Sequence, residues 1–374
     1  MILCLLSRQR RVKAATIATG GDGLNVKPEE CFFRVSLDDH DRRLDRIIRK
    51  LLPNIGLSHI YRLIRTGKIR LNGRRSRPST RANNGDRISV PPPIYAQYSP
   101  PAASDVERRG DETIRPPIIL ETDHILAVDK PRGLTVHGPD SLEQMVQSYL
   151  GPKQARSLSF RPGPVHRLDR NTTGILIFAK SLQGARRISR LIEEGRVEKY
   201  YLALMDGAIE RQSCWKDSLA RDKKTRKTVR ALSGGPPSGG SPPGGSLPGG
   251  TAPEGKTALT HVKPIIVERN LSLVLCSLKT GRTHQIRAQA ALHGHPLTGD
   301  RKYGGCNLTQ TYLLHATYIR IPRDEALLGP TTLRAPLPLS STSVISTFFG
   351  ADSFGKIEQA IADFARFDYP PAID

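Results

Sequence analysis

The sequence has no long hydrophobic run, and this absence limits the kind of protein it can encode. None of its uninterrupted apolar stretches approaches the roughly 18 residues that a membrane-spanning helix needs. The first residues, MILCLLSRQRRVK, hold only a short apolar stretch before the charges begin, which is too short for a secretory signal. We therefore expect a cytoplasmic protein whose residues 1–30 form a basic tail, and an organelle-targeting segment in this tail stays open as the alternative.

Patterns typical of metal, disulfide and dinucleotide sites are also missing. The five cysteines form no C-x-x-C pair and stand at Cys4, Cys31, Cys214, Cys276 and Cys306. Neither a zinc ribbon nor a disulfide framework is therefore expected. His284, His293, His295 and His315 have no acidic or thiol partner at ligand spacing, so we expect no metal. No G-x-G-x-x-G follows a predicted strand, and the chemistry discussed below needs no cofactor.

Acidic residues are scarce relative to basic ones. The chain has 57 Lys and Arg against 35 Asp and Glu, a formal charge of +22, with a pI near 10.1. This excess indicates a polyanionic partner, which by charge alone could be RNA, DNA or an anionic membrane. Between positions 41 and 90, fourteen basic residues face three acidic ones, a net charge of +11 (14 − 3). Half of the excess charge is therefore concentrated in one short region.

This basic region has the pattern of a small two-helix domain over residues 31–92. Leu44, Ile47, Ile48 and Leu51 recur with the period of a short amphipathic helix. A second helix is predicted from an N-cap at Ser58 to Gly67, and short strand-like stretches surround the pair. Because these helices are explained as packed on the strands, the basic amphipathic face that a membrane surface requires is not expected.

A linker and a second, larger domain are predicted to follow. Residues 93–117 are rich in Pro and charge, and strand patterns begin at 118 and extend, with helices near 142–150, 183–194 and 283–293, to about 350. Mixed strands with few helices predict an α+β fold. Residues 233–253, rich in Gly, Pro and Ser, are expected to be a disordered loop within a hairpin, and 351–374 a C-terminal helix and tail.

Four segments carry the residues with chemical potential. They are VDKPRGLTVHGP (128–139), VHRLDRNTTGILIFAKS (165–181), VEKYYLALMDG (197–207) and LKTGRTHQIRAQAALHGHPLTGDRKYGG (278–305). Taken alone, Asp169 fits a turn residue, the tyrosines fit core packing and the basic helix fits a solvated face. Their joint order and spacing are more specific than any one of them.

Together these segments resemble the RluA family of pseudouridine synthases, from about Ile118 to Pro322. The H-R-L-D-x-x-T, G-R-T-H-Q-I-R and G-H-P-L-x-G-D-x-x-Y-G motifs carry the resemblance, although Thr173 stands where the family usually shows Ser. RLDRIIRKLL, LSHIYRLIRTGKIRLNG and GDRI, between Arg43 and Val90, resemble an S4 RNA-binding domain. The resemblance implies a small S4 domain followed by a mixed, mainly antiparallel catalytic sheet.

The resemblance also assigns roles to individual residues. Asp169 is the expected nucleophile toward the target uridine, Arg287 its cationic partner, and Tyr201 the aromatic residue of the active site, with Tyr200 on the opposite face of the strand. Such a reaction moves the base from nitrogen 1 to carbon 5 without redox change. We expect RNA to contact a wider basic set: Arg43, Arg62, Arg65, Lys68, Arg70, Arg74, Arg75, His166, Arg167, Arg282 and His284.

The predicted function is that of an RNA pseudouridine synthase, with large-subunit ribosomal RNA as the expected substrate. A transfer RNA substrate is the first alternative. The second is a non-catalytic S4-type RNA-binding factor in ribosome assembly, against which the intact Asp169, Tyr201 and Arg287 argue. An RNA methyltransferase lacks its nucleotide-binding motif here.

Overall fold

A computed structural model describes residues 30–99, 115–151, 157–222, 225, 227–231, 255–329 and 332–366. The predicted tail, apart from Glu30, and the predicted loop over 233–253 lie outside these residues. Within the described ranges, no helix is both long and apolar enough to cross a membrane.

The N-terminal unit contains two main helices against small sheets. Its elements are β1 (Cys31–Arg34), β2 (Arg42–Arg43), α1 (Leu44–Leu51), α2 (Leu57–Arg65), β3 (Arg70–Leu71), β4 (Arg81–Ala82), β5 (Arg87–Val90) and α3 (Pro92–Tyr98). Strands β1, β5 and β3 form one sheet in that order, and β2 pairs with β4. Leu44, Ile47 and Ile48 are fully buried, as the helical period predicts.

Two local predictions in this unit differ from the structure. Gly56, not Ser58, is the N-cap of α2, so that the helix begins one residue before the predicted cap. The first part of the predicted linker forms α3, whose Ile94 and Tyr95 pack against the core of the N-terminal unit. Proline at the start of α3 fits its first turn, where a backbone N–H has no intrahelical partner. The first residues of the predicted linker therefore belong to the N-terminal unit.

The larger unit is built on an eleven-stranded sheet. Its elements are β6 (Ile118–Glu121), β7 (Ile125–Lys130), α4 (Leu142–Leu150), β8 (Gly163–Pro164), β9 (Thr173–Ala179), α5 (Leu182–Glu193), β10 (Glu198–Asp206), β11 (Ser213–Arg221), β12 (Thr228–Arg230), β13 (Lys256–Glu268), β14 (Leu271–Leu278), α6 (Gln285–Leu292), β15 (Leu314–Arg320), β16 (Thr332–Arg334), α7 (Leu339–Phe349) and α8 (Ser353–Arg366). The main strand order is β12-β11-β13-β14-β10-β15-β9-β7-β6. Among the described pairs only β9 and β15 run parallel, which agrees with the predicted α+β class.

The strands on either side of the Gly/Pro/Ser insert do not form the predicted hairpin. Strands β12 and β13 each pair antiparallel with β11, on opposite edges of it. Strand β11 therefore lies between β12 and β13 in the sheet. Sequence pattern could not distinguish these arrangements, because both connect two strands through a loop.

The central strand β10 separates two cores. Tyr201, Ala203 and Met205 face one cluster, and Tyr200 and Leu202 face the other, which α7 and α8 cover. This alternation confirms that the two adjacent tyrosines point to opposite faces of the sheet. Tyr201 thereby shares a face with α6, the helix that carries Arg287.

The two units are joined by a buried carboxylate. Asp39 of the N-terminal unit is fully buried and accepts hydrogen bonds from the backbone N–H groups of Leu158 (2.8 Å) and Ser159 (2.9 Å) and from the Ser157 hydroxyl (2.9 Å). Arg42 donates to the Ser159 hydroxyl at 2.6 Å. Leu158 also packs against the core of the N-terminal unit. A short segment of the larger unit is therefore anchored in the smaller one.

Candidate active site

Asp169 lies in the turn between β8 and β9, and a buried lysine fixes that turn. The Lys130 ammonium is inaccessible to solvent and donates to the carbonyls of Pro131 (2.9 Å), Arg170 (2.8 Å) and Thr172 (2.9 Å). Burial lowers the pKa of Lys130 to about 8, against an opposing effect of the Asp169 charge. The lysine thus ties the loop after β7 to the loop that presents Asp169.

Arg287 pairs with Asp169, as predicted, but it does so within a triad. One terminal nitrogen donates to Asp169 Oδ2 at 3.0 Å. The remaining edge of the guanidinium binds Asp300 in a bidentate manner, through Nε to Oδ2 (2.7 Å) and Nη2 to Oδ1 (2.9 Å). Burial by itself would lower the pKa of Arg287, but hydrogen bonding to Asp300 and the surrounding negative groups outweigh it and raise that pKa. Asp300 therefore holds the guanidinium plane in the orientation that faces Asp169.

Two tyrosine rings enclose the same guanidinium. The carbon at its centre lies 4.5 Å from the ring centroid of Tyr312 and 5.0 Å from that of Tyr303. These distances are within the range of cation–π attraction. The rings shield the ion triad from water, which strengthens its electrostatic interactions.

Tyr201 is nearly buried and lines the same pocket as Asp169. Burial raises the pKa of its phenol far above the ordinary value, and the negative charge of Asp169 raises it further. The ring therefore stays protonated at neutral pH. It can serve as a stacking surface and hydrogen-bond donor, whereas service as a phenolate base is disfavoured.

The two histidines of the predicted site are neutral at physiological pH. Burial lowers the pKa of His284 to about 4, and its Nε2 is 3.8 Å from Asp169 Oδ1, too far for a hydrogen bond. Burial, with the nearby Lys199 charge, lowers the pKa of His166 to about 3, and His166 Nε2 accepts from the backbone N–H of Ile177 at 3.1 Å. Both histidines therefore shape the pocket without adding positive charge.

One pocket of about 380 Å³ brings together all the site residues that the sequence predicted in the larger unit. They are His166, Arg167, Asp169, Tyr201, Arg282, His284 and Arg287. His284 was predicted to lie on the helix but is the residue before α6, where it has a left-handed backbone conformation (φ 53°). Its Nδ1 lies 2.9 Å from the Tyr303 hydroxyl. The volume is in the range of small-ligand sites.

The predicted RNA contacts of the N-terminal unit are more dispersed. Arg65, Arg74 and Arg75 line one shallow cleft together with Arg77, which was not singled out from the sequence. Arg62, Lys68 and Arg70 are exposed elsewhere on the unit. Arg43 is partly engaged, because it donates to Asp45 at 2.6 Å.

Sequence reasoning missed several residues of the site. Lys130 and Asp300 lie inside the quoted VDKPRG and LTGDRKYGG segments but received no role, although their motifs could have drawn attention to them. Tyr303 belongs to the second of these segments too. Lys199 lies inside the quoted VEKYYLALMDG segment and likewise received no role. Tyr312 lies outside all four segments, and its only signal in the sequence was proximity to a motif.

Comparison with known proteins identifies both units. Residues 124–292 match the family model for RNA pseudouridylate synthase, and residues 42–88 match the S4 domain. The ribosomal large subunit pseudouridine synthase C of Buchnera aphidicola (subsp. Schizaphis graminum) is 32% identical over 303 residues, 78% of this chain and 89% of the relative. Its namesake from Escherichia coli (strain K12) is 33% identical over 281 residues, 74% of this chain and 81% of the relative.

The fold agrees with a solved structure of the same class. Human RNA Pseudouridylate Synthase Domain Containing 1 superposes with a TM-score of 0.51 at 22% identity, covering 70% of this chain and 99% of the human one. The two family-model matches confirm the predicted combination of an S4 domain and a synthase domain. The chain belongs to the RNA pseudouridine synthase family and carries an S4 domain ahead of its synthase domain.

Proposed function

We propose that this enzyme converts specific uridines of large-subunit ribosomal RNA to pseudouridine, with Asp169 as the nucleophile. The observation that carries the proposal is the Asp169 carboxylate, 14% exposed, which is paired with Arg287 in the wall of a pocket that Tyr201 also lines. The relatives named for ribosomal large-subunit modification support the choice of RNA. Transfer RNA is the alternative substrate.

In the proposed reaction the C1′–N1 glycosidic bond breaks with participation of the Asp169 carboxylate. The uracil then turns, a C1′–C5 bond forms, the proton of C5 leaves to solvent, and N1 takes up a proton in place of its bond to C1′. Arg287 keeps the carboxylate ionised, and Tyr201 offers a flat surface against the base that has left its stack. The proposal requires no metal, nucleotide or redox cofactor, so turnover should persist in EDTA.

The N-terminal unit, over about residues 31–92, is proposed to hold the RNA while residues 118–350 carry out the reaction. The cleft lined by Arg65, Arg74 and Arg75 supports this division of roles, because exposed guanidinium groups pair with phosphates. We place the enzyme in the cytoplasm with its substrate, and an organellar location follows only if residues 1–30 act in targeting.

The proposal is tested with RNA labelled with tritium at uridine C5. The wild-type protein should release tritium to water, and Asp169→Asn should bind the RNA with wild-type affinity and release none within detection. Asp352→Asn, an exposed carboxylate between α7 and α8, is the matched control and should be fully active. Residual turnover of Asp169→Asn within tenfold of wild type would rule out Asp169 as nucleophile.

The RNA substrate is identified separately, by mapping pseudouridines in the total RNA of a strain that lacks the gene. A site missing from large-subunit ribosomal RNA, and restored by the wild-type gene but not by the Asp169→Asn gene, is the expected result. Loss of a site confined to transfer RNA would replace the proposed substrate with the alternative.

A further inference from the structure

Lys199 is a buried cation in the active-site pocket to which the reaction outlined above gives no role. It lies on β10 two residues before Tyr201, and residues two apart on a strand share a face. Lys199 is 8% exposed and lines the same pocket as Asp169. Its ammonium lies beside Gly281, 3.9 Å from where a β-carbon on that glycine would stand.

The Lys199 ammonium has no anionic partner within the described part of the chain. No carboxylate there lies within ion-pair distance of it, and no described group accepts a hydrogen bond from it. Burial lowers the pKa of Lys199, with no neighbouring negative charge acting against it. Lys130, by contrast, is buried but donates to three carbonyls. Burying an ammonium without a counter-ion costs free energy. We therefore infer that the counter-ion of Lys199 is an anion from outside the chain.

The surroundings of Lys199 favour such an anion. The pocket wall carries five cationic side chains and two acidic ones, a net charge of +3 (5 − 2): Arg167, Lys199, Lys279, Arg282, Arg287, Asp169 and Glu193. Asp169 is already paired with Arg287, and Glu193 is exposed. His166 and His284 are neutral at physiological pH for the reasons given above.

We propose that Lys199 binds a backbone phosphate that flanks the target uridine, and so holds the ribose over Asp169. The inference rests on the proposed function and adds a substrate-positioning residue to it. Uracil and ribose are neutral, and the phosphodiester is the anionic part of an RNA substrate. A compact ammonium on a flexible stem suits a single phosphate oxygen. Successive same-face positions on a strand are about 6.6 Å apart, which separates a base on Tyr201 from a phosphate at Lys199.

The test combines protein variants with a neutral substrate linkage. Lys199→Met removes the charge and keeps the length of the side chain, Lys199→Arg keeps the charge, and Lys216→Met changes an exposed lysine of β11 outside the pocket. The substrates are two RNA oligonucleotides that contain the mapped site, with a methylphosphonate placed either 5′ or 3′ of the target uridine. Tritium release from C5 gives KM and kcat for each combination of protein variant and RNA substrate.

We expect Lys199→Met to raise KM roughly tenfold to a hundredfold, the usual effect of losing one charged hydrogen bond, with a smaller change in kcat. One of the two methylphosphonates should raise the wild-type KM by a similar factor and leave the KM of Lys199→Met unchanged. Lys199→Arg should recover most of the wild-type KM, and Lys216→Met should match wild type. Because the lysine is buried without a partner, Lys199→Met should also unfold at a denaturant concentration no lower than wild type.

Several outcomes would overturn the role of Lys199. Methylphosphonate penalties of equal size in wild type and Lys199→Met would mean that Lys199 contacts the base or no substrate group. A clear loss of stability in Lys199→Met, without rescue of KM by Lys199→Arg, would assign it a structural role. If wild-type protein itself releases no tritium, the proposed function has failed, and this result is distinguishable because it does not depend on Lys199.

Discussion

At the scale of single residues, Asp300 explains why Arg287 can face Asp169. The guanidinium offers its flat edge to Asp300 and keeps one terminal N–H for Asp169, and both carboxylates are mostly withdrawn from water. A buried cation shared by two carboxylates is better compensated than a single pair would be. We therefore expect the triad to contribute to stability as well as to the proposed chemistry.

Replacing Arg287 with Met should consequently destabilise the protein. The change leaves Asp300, whose side chain is 2% exposed, buried without a cation, which typically costs about 3–5 kcal/mol of unfolding free energy. The double variant Arg287→Met/Asp300→Asn should recover part of this loss. Urea denaturation of the wild type, both single variants and the double variant gives the coupling energy, and a coupling near zero would contradict the buried triad.

His315 predicts a pH dependence of stability outside the catalytic pocket. It is fully buried between β9 and β16, its Nδ1 lies 2.8 Å from the Thr173 hydroxyl, and burial lowers its pKa to about 4. The unfolded value is near 6.5, so on acidification the unfolded chain takes up the proton first. The contribution of His315 to stability is therefore complete above about pH 6.5 and lost as the pH falls toward 4.

His315→Asn should flatten this dependence. Between pH 6.5 and 4, the slope of unfolding free energy against pH should fall by up to about 1.4 kcal/mol per pH unit relative to wild type. Urea denaturation at half-unit pH intervals measures it, and His40→Asn, an exposed histidine, serves as the control. An unchanged slope in His315→Asn would mean that the imidazole is protonated in the folded protein.

At the scale of secondary-structure elements, the parallel contact between β9 and β15 depends on Gly174. Gly174 pairs with Ala316 and has a φ of 102°, and a β-carbon there would stand 2.3 Å from the Ala316 carbonyl oxygen. That oxygen belongs to the backbone of a central strand and cannot move aside easily. Because β9 begins directly after the loop that carries Asp169, this close contact fixes the point at which that loop enters the sheet.

Gly174→Ala should therefore be strongly destabilising. Backbone strain at positive φ and the steric overlap together should lower the unfolding free energy by about 2–5 kcal/mol. Gly355→Ala, on the exposed face of α8 with open space around it, is the matched control and should raise stability by up to about 1 kcal/mol. Equal thermal midpoints for Gly174→Ala and wild type would show that the two strands can separate at this point without cost.

At the scale of the whole molecule, Asp39 fixes the S4 domain against the catalytic domain. Hydrogen bonds from Ser159, Ser36, Leu158 and Ser157 outweigh the effect of burial, which is the largest single influence, and lower the pKa of Asp39. The carboxylate thus stays charged, and the contact persists until the pH falls below the ordinary range of an aspartate. A fixed contact sets the spacing between the S4 arginines and the catalytic pocket.

Asp39→Ala should loosen this contact without unfolding either domain. It leaves the Leu158 and Ser159 N–H groups without their acceptor, so their amide hydrogens should exchange with solvent faster by at least tenfold. The salt dependence of RNA binding should remain that of wild type, since the arginines proposed to bind phosphate are intact, while kcat/KM falls. Asp352→Ala is the control, and unchanged exchange at residues 157–159 in Asp39→Ala would contradict the anchoring role.

The sequence by itself determined the class of the fold, the two domain families and the identities of Asp169, Tyr201 and Arg287 as the candidate site. The fold class follows from local periodicity, and the domain families and site residues follow from the resemblance of short motifs to known families. Both can be recognised without knowing what each segment contacts. The placement of helices α4, α5 and α6 followed from the same periodicity, within about two residues at each end.

Only the tertiary structure decided which residues complete that site. Asp300 reaches Arg287 from 13 positions away, and Asp39 meets Ser157 across 118 positions, distances over which a linear pattern carries no pairing information. The lack of a partner for Lys199 within the described chain likewise depends on the position of every acidic side chain around it. Hydrogen bonds, burial and charge balance between distant segments are properties of the folded chain, and they turned a set of motifs into a pocket with a defined charge.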